Sequence, residues 1–174
     1  CYAVHPSDTA PALIALGAAV KTTKRTVEAE DFFAVGICKT TILESDEIVT
    51  EIQVPAPEGG TSSAFEKLAL RKSIDFPIVN CAAGITVSSG KVAAARICLN
   101  AVHVKPYRAV AAEQSIMGKA LSEESAAAAG VAAVATARPM THNGYMVQIA
   151  KALVKRAILA CNRPPVREPQ ASAS

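Results

Sequence analysis

The chain has 174 residues, of which 51% are hydrophobic, so it can bury a substantial core as one domain or as two small ones. Its formal net charge of +3 comes from 18 basic and 15 acidic residues, which are spread along the chain without a block of like charges. Aromatic residues make up 4% of the chain and tryptophan is absent, so stacking surfaces for single-stranded nucleic acid are not expected. The composition indicates a folded protein without a nucleic-acid partner.

The five cysteines are odd in number and contain no C-x-x-C pair, which argues against a disulfide framework and against a zinc site. We interpret them mainly as small buried residues of a reducing cytoplasm. No stretch approaches the ~20 apolar residues of a membrane span, and the N-terminus lacks the pattern of a signal peptide. Because the first residue is not methionine, we expect a processed, split or truncated piece of a longer polypeptide.

The first third of the chain predicts one short helix and several strands. Residues 7–17 begin with good N-cap residues and stop at a glycine, which is typical of a short buried helix. Residues 18–27 predict a hairpin, and the alternation over 48–54 predicts a half-buried strand. The segment 55–63, PAPEGGTSS, is the best linker in the sequence, so we place a domain boundary there.

The rest of the chain predicts strands followed by helices. The expected elements are three strands of one antiparallel sheet and then three helices that cover one face of it, over residues 63–70, 79–87, 92–104, 108–117, 123–137 and 143–161. This order predicts an α+β fold. The tail from Asn162 is rich in proline, serine and alanine, which favours a flexible tether.

Catalytic motifs are missing from the sequence. It contains no Ser/His/Asp set, no H-E-x-x-H, and neither of the glycine-rich loops G-x-x-x-x-G-K and G-x-G-x-x-G that cradle phosphates. The three histidines stand far apart, so a metal site is not expected. We therefore predict neither catalytic residues nor metal ligands in this chain.

Two segments carry more polar groups than a plain core requires. In HPSDTAP, Asp8 could cap its own helix or present a carboxylate to a ligand, and the residues alone favour capping. In FEKLALRKSIDFPIV, Lys67, Arg71 and Asp75 recur every four residues. A helix would give them one salt-bridged face, whereas a strand would carry Lys67 and lead into a loop that bears Asp75. A solvated charged face is the simpler interpretation of the spacing.

Four segments in order resemble a known family: CYAVHPSDTAPALIAL, TTILESDEIVTEIQVP, AFEKLALRKSIDFPIVNCAAG and AARICLNAVHVKPYRAVAAE. Up to about residue 161 the chain is similar to the FAD-binding (medium) subunit of the molybdenum hydroxylases, the xanthine dehydrogenase family. The resemblance implies that residues 1–57 are the C-terminal portion of the FAD-binding domain. It also implies a CO dehydrogenase flavoprotein-like C-terminal domain at 62–161, with a three-stranded antiparallel sheet and a three-helix bundle, and a flexible tail at 162–174.

The resemblance also implies a set of flavin-site residues. Asp8 matches the family's aspartate of the FAD site, and a strand-edge aliphatic pair matches the residues that lie against the isoalloxazine ring. Lys67 matches the lysine of an aromatic-x-lysine motif, although Phe65 stands where the family has tyrosine. The loop after it is expected to flank the flavin and its electron acceptor. The implied cofactor-binding residues are Ser7, Asp8, Ile48, Val49, Lys67, Arg71, Asp75 and Phe76.

The implied function is electron transfer through FAD, as an oxidoreductase component located in the cytoplasm. Substrate would be oxidised at a molybdopterin-binding large subunit, and electrons would cross the clusters of a 2Fe-2S small subunit to FAD. Because glycine-rich loops are missing, the strongest FAD contacts are expected on another chain or segment that carries the N-terminal half. The alternative is a non-catalytic docking module of the same complex that does not itself hold FAD.

Overall fold

The computed structural model describes residues 3–162. Strands and helices are numbered here in chain order. The elements are α1 (Thr9–Ala15), β1 (Ala19–Thr22), β2 (Thr26–Glu28), α2 (Ala29–Phe32), β3 (Phe33–Gly36), β4 (Lys39–Thr41), β5 (Val49–Gln53), β6 (Thr61–Leu68), β7 (Val79–Ser88), β8 (Lys91–Asn100), β9 (Tyr107–Arg108), α3 (Val110–Ile116), α4 (Glu123–Ala133) and α5 (Gly144–Cys161).

An antiparallel sheet in the order β6-β7-β8-β9 forms the centre of the molecule. The predicted α+β class is confirmed, with strands near the expected positions, but the sheet has four strands and not three. The added strand is β9, where Tyr107 and Arg108 pair with Leu99 and Cys98. Because Arg108 belongs to this strand, the helix expected from residue 108 begins at Val110.

The third predicted strand, over 92–104, ends earlier than expected. Its last residue is Asn100, because Ala101 takes a positive φ of 62° that turns the chain away from the sheet. The helix expected to run from 123 to 137 likewise ends at Ala133. These differences shift boundaries and leave the order of the elements unchanged.

The three predicted helices lie on one face of the sheet, where α3 and α5 pack on the strands and α4 packs against α3 and α5. The core of this layer is built from small aliphatic residues of β7, β8 and the three helices. Gly130 of α4 lets the two longest helices approach closely, since a Cβ there would lie 2.6 Å from the carbonyl oxygen of Lys151. The apolar stripe of α5 is buried, with Ala150, Leu153 and Ala157 at 3% exposure or less.

Helix α1 packs on the opposite face of the same sheet. Ile14 of α1 and Cys98 of β8 belong to one buried cluster, so both faces of β8 are covered at this point. The approach is close because β7 carries Gly84 beneath the end of the helix. A Cβ at that position would lie 2.6 Å from the carbonyl oxygen of Ala15. The start of the chain is thereby held against the C-terminal part.

The N-terminal part forms a small three-stranded sheet in the order β2-β1-β5 beside the hairpin β3-β4. Neither α2 nor this hairpin was predicted. The strand expected to be half-buried, β5, is largely exposed: Ile52 is 50% exposed, and Val54, which follows the strand, is 51% exposed. The prediction of burial was wrong because nothing in residues 3–162 covers the outer face of this strand.

Three of the cysteines are buried, as interpreted from the sequence, and Cys38 is exposed. Burial raises the pKa of Cys98 and of Cys161 to about 12, so both remain thiols near neutral pH. Within residues 3–162, no helix has the length and apolar character needed to cross a bilayer. Cys1 and the predicted flexible tail, apart from Asn162, lie outside the described residues.

The packing of α1 predicts that Gly84→Ala destabilises the protein. The new methyl group would meet a backbone carbonyl that cannot move without displacing the helix, which costs about 1–3 kcal/mol in overpacked sites. Urea unfolding of the purified protein measures the loss. Gly59→Ala is the control, because a Cβ there meets nothing within 4 Å. Equal midpoints for the two variants would contradict the close packing of α1.

Candidate functional site

A row of polar side chains crosses the sheet on the α1 face. Lys67 of β6 pairs with Asn80 of β7, and Asn80 pairs with Asn100 of β8. Directly paired residues of neighbouring strands place their side chains on the same face. The row therefore faces the beginning of α1, where Ser7 and Asp8 lie.

Asn80 and Asn100 bind this beginning of α1 directly. Both side chains are fully buried. The Asn80 Nδ2 donates to the Ser7 carbonyl oxygen at 3.1 Å and to Asp8 Oδ1 at 2.8 Å, and the Asn100 Nδ2 donates to the same Ser7 carbonyl at 2.5 Å. The Oδ1 atoms of both asparagines have no partner among the described residues. Two buried amides thus fix the position of Ser7 and Asp8.

Sequence reasoning did not predict either asparagine as part of the site. A signal was present, because each stands among apolar neighbours, in the runs IVNCAAG and ICLNAV, where a buried amide needs a specific partner. The partner, however, is 72 residues away in the chain for Asn80 and 93 for Asn100. No local spacing could have revealed these contacts.

The ammonium group of Lys67 is held from two sides. Its Nζ donates to Asp8 Oδ2 at 2.6 Å and to the backbone carbonyl oxygen of Asp75 at 2.6 Å. The side chain is 25% exposed. A lysine ammonium has three N–H donors, so one remains for a ligand. Lys67 is thus a positioned, partly exposed cation.

Asp8 does not cap its own helix, contrary to the interpretation that its sequence context favours. Its side chain makes no cap hydrogen bond, and the Ser7 Oγ accepts instead from the Ala10 N–H at 3.0 Å. The Asp8 carboxylate instead accepts hydrogen bonds from Asn80 and Lys67, which lie in the C-terminal part of the chain. The long-range ion pair and the buried amide provide stronger partners than one backbone N–H.

The segment before Ser7 continues the contact with the sheet. The His5 N–H donates to the His103 carbonyl oxygen, and the Ala101 N–H donates to the His5 carbonyl oxygen. The His5 ring packs edge-on against Phe33 with 4.9 Å between ring centroids. Burial lowers the pKa of His5, so its ring is neutral near pH 7.

The residues after Lys67 form a loop closed by one ion pair. Arg71 donates through Nε and Nη2 to the two carboxylate oxygens of Asp75, at 3.1 and 2.9 Å. Asp75 also accepts the backbone N–H groups of Arg71 and Phe76. The Arg71 guanidinium lowers the pKa of Asp75, which stays ionised. Of the two arrangements left open by the spacing, the strand followed by a loop is the one observed.

This loop exposes large apolar side chains. Ile74 is fully exposed, Leu70 is 85% exposed and Phe76 is 72% exposed. Exposed apolar side chains on a loop that is closed by an ion pair are typical of a surface that binds another molecule. The closed loop also supplies the Asp75 carbonyl that binds Lys67.

Ile48 and Val49 lie apart from the Lys67 group, at the entrance to β5. They share no hydrogen bond with it among the described residues. Ile48 is 68% exposed and Val49 is partly buried against the N-terminal cluster. The structure therefore brings Ser7, Asp8, Lys67, Arg71, Asp75 and Phe76 into one connected group and leaves Ile48 and Val49 on a second element.

The residue before Ile48 is a glutamate whose side chain is excluded from solvent. Hydrogen bonds from Arg25 and Thr22 lower the pKa of Glu47 to about 2, against an ordinary value of 4.5. Because the folded state holds this carboxyl in its ionised form, its contribution to stability is present above the ordinary pKa. That contribution is lost as the pH falls through the folded pKa.

We predict that acid weakens the N-terminal part through Glu47. As the pH falls from about 4.5 towards 2, the urea midpoint of the wild-type protein should decrease more than that of Glu47→Gln, which has no carboxyl to protonate. Glu51→Gln, an exposed position on β5, is the control and should keep the wild-type pH dependence. A Glu47→Gln profile parallel to the wild-type profile would contradict the assignment.

Comparison with known proteins identifies the family of this fold and site. Residues 63–161 match the CO dehydrogenase flavoprotein C-terminal domain, and residues 1–57 match the FAD binding domain in molybdopterin dehydrogenase. The chain therefore belongs to the family of FAD-binding medium subunits of molybdenum hydroxylases. The resemblance noted from the sequence motifs is confirmed.

Two relatives illustrate the similarity. The carbon monoxide dehydrogenase medium chain of Hydrogenophaga pseudoflava is 36% identical over 141 residues, which cover 79% of this chain and 48% of the relative. The caffeine dehydrogenase subunit beta of Pseudomonas sp. (strain CBB1) is 33% identical over 126 residues, which cover 69% of this chain and 42% of the relative. The chain thus spans about half the length of the curated relatives it matches.

Solved structures show the same fold. Carbon monoxide dehydrogenase from Hydrogenophaga pseudoflava superposes with a TM-score of 0.81 at 36% identity, over 89% of this chain and 56% of that chain. Quinoline 2-oxidoreductase from Pseudomonas putida 86 gives a TM-score of 0.78 at 29% identity, over 92% of this chain and 57% of that chain. The alternative of a docking module that holds no FAD receives no support from these comparisons.

Proposed function

We propose that this chain forms one wall of an FAD site in a multi-subunit molybdenum hydroxylase and serves electron transfer there, without contacting the organic substrate. The observation that carries the proposal is the ion pair between Asp8 and Lys67. Asp8 lies in the segment that matches the FAD-binding domain, and Lys67 lies in the segment that matches the C-terminal domain. This ion pair therefore joins the two segments, and in this proposal the flavin binds beside it.

The residues present fit an FAD ring system. A flavin offers a flat apolar surface with polar atoms at its edge, and this chain offers exposed aliphatic groups and a cation with a donor to spare. The two buried Oδ1 atoms without partners among the described residues belong to Asn80 and Asn100, whose amide groups hold Ser7 and Asp8 in place. The pyrophosphate has no matching glycine-rich loop in the sequence. The chain thus fits the flavin end of FAD, and another chain or segment would hold the phosphates.

Each residue has a distinct part in this proposal. Lys67 would donate to the flavin edge, and Asp8 would hold the ammonium group in place. Asn80 is a positioning residue, because its side-chain amide donates a hydrogen bond to the Asp8 carboxylate and fixes its position. Ile48 and Val49 would lie against the ring. Bound FAD would supply the electron-carrying chemistry, while the protein sets the position and the electrostatic environment of the cofactor.

The partners in this proposal follow from the family. The complex would contain a molybdopterin-binding large subunit, where substrate is oxidised, and a 2Fe-2S small subunit that delivers electrons towards FAD. The proposal gives no residue of this chain a part in transforming the substrate. Among residues 3–162, no cluster of His, Cys, Asp or Glu side chains is arranged to hold a metal ion.

Loss of the Lys67 charge should weaken FAD binding by the assembled complex. Lys67→Met keeps most of the apolar stem but removes the donor, and a hydrogen bond to a charged group corresponds to roughly a tenfold change in affinity. FAD titration of the cofactor-depleted complex measures the effect. Lys72→Ala, an exposed lysine of the following loop, is the control.

The same Lys67→Met complex should still oxidise its substrate with an artificial acceptor that draws electrons upstream of FAD. Full FAD affinity in this variant would refute the placement of Lys67 at the flavin. Loss of the upstream activity would refute the separation between substrate oxidation and this chain.

We further propose that the loop from Arg71 to Pro77 controls access of the final electron acceptor to the flavin. The loop carries an Arg71–Asp75 ion pair and exposes Phe76 beside the Lys67 group. Charges at such a surface steer a charged acceptor, with interactions of about 1 to 4 kcal/mol at contact distance. Salt should therefore modulate the acceptor reaction.

Asp75→Asn tests this role with almost no change in volume. We expect FAD content to stay near normal, while the rate of flavin reoxidation by the acceptor changes and its salt dependence alters. Stopped-flow reoxidation of the reduced complex at two ionic strengths measures both. Asp46→Asn, an exposed carboxylate paired with Lys24, is the matched control. Unchanged rates, or wholesale loss of FAD, would leave this loop with a structural role only.

A further inference from the structure

Glu47 stands out as a buried charge next to an exposed apolar residue. Its side chain has no solvent exposure, while Ile48, the next residue, is 68% exposed. A buried ion pair is weak evidence for stability, because hydrophobic residues of similar volume often stabilise a protein as well or better. Such a pair does fix geometry when all its hydrogen bonds are made. Here the buried ion pair of Glu47 fixes the backbone position of the next two residues, Ile48 and Val49.

Both carboxylate oxygens of Glu47 accept two hydrogen bonds each. Thr22 Oγ1 donates to Oε1 at 2.6 Å, and Arg25 Nε donates to the same oxygen at 2.9 Å. Arg25 Nη2 donates to Oε2 at 2.7 Å, and the Glu44 N–H donates to it at 3.1 Å. The bidentate guanidinium gives directional as well as electrostatic binding. Glu47 therefore joins the β1–β2 turn to the segment that enters β5.

The backbone of Ile48 is bound to the same turn. Its carbonyl oxygen accepts the Thr23 N–H at 2.9 Å, and its own N–H donates to Thr23 Oγ1 at 3.3 Å. Val49 is paired with Thr22, next to an irregularity in the register between Lys21 and Thr22. Ile48 and Val49 thus lie where β5 begins. Hydrogen bonds to the β1–β2 turn, and not a long regular strand pairing, set their position.

We infer that Glu47 is a positioning residue for the flavin site, acting through the rigid presentation of Ile48 and Val49. This inference rests on the proposed function, since it requires the aliphatic pair to lie against FAD. A side chain that is already fixed in its binding position loses little conformational freedom when the ligand arrives. Without the carboxylate, the segment that enters β5 would lose the four hydrogen bonds that Glu47 accepts.

The test is a double-mutant cycle on FAD affinity in the assembled complex. Glu47→Gln keeps the volume, but its amide hydrogens face donors of Arg25, Thr22 or Glu44, so we expect roughly tenfold weaker FAD binding. Ile48→Ala removes the apolar contact itself and should also weaken binding. If Glu47 acts through the aliphatic pair, the double variant should lose less FAD affinity than the product of the two single losses, because part of the contact that Glu47 supports is already removed in Ile48→Ala.

The control is Glu51→Gln, the same chemical change at an exposed position of β5, which should keep full FAD affinity. Arg25→Lys provides a second variant if Glu47→Gln fails to assemble, since a lysine keeps the charge and loses the bidentate contact. It should show the same coupling to Ile48→Ala.

Two results would overturn the inference. The first is a double variant whose loss in FAD affinity equals the product of the two single losses, because Glu47 would then act independently of Ile48. The second is full FAD affinity in Ile48→Ala, because the aliphatic pair would then not lie against FAD. If Lys67→Met still weakened binding in that case, the proposed function would stand while the role of Glu47 would be lost.

Discussion

The rest of the site depends on the hydrogen bonds that hold Ser7 and Asp8 against the sheet. Two buried amides, Asn80 and Asn100, donate to this short segment from neighbouring strands. The absence of a side chain at Gly84 lets α1 lie close enough for these bonds to form. Once Asp8 is seated, its carboxylate holds the ammonium of Lys67, and Lys67 in turn binds the closed loop through the Asp75 carbonyl. One chain of hydrogen bonds thus runs from the buried face of the sheet to the exposed loop.

The site separates into a polar part and an apolar part with different supports. The polar part rests on the sheet, whose hydrogen bonds and helical cover make it rigid. The apolar part, Ile48 and Val49, rests on a small edge sheet and on the buried carboxylate of Glu47. Rigid support matters for a cofactor site, because small displacements of the contacting groups change both affinity and electrostatics. We propose that the two parts meet the same flavin from different elements.

The sequence predicted the regular elements well where the periodicity was long. The three long strands of the main sheet and α5 were found because alternation or a helical stripe extends over many residues. Helix α2 and the hairpin β3-β4 were missed, since elements of three or four residues leave no periodic signal. The burial of β5 was overestimated, because alternation shows which residues share a face but not whether that face is covered. The partner of Asp8 could not be predicted either, because Lys67 lies 59 residues away.

We propose that Asp8 and Lys67 form one unit at the flavin edge. The most direct measurement is a structure of the FAD-loaded complex that contains this chain. We predict that the Lys67 ammonium keeps its bond to Asp8 and places its remaining donor within hydrogen-bond distance of a polar atom of the flavin ring. A flavin that lies elsewhere, with Lys67 in contact with protein groups and solvent alone, would contradict it.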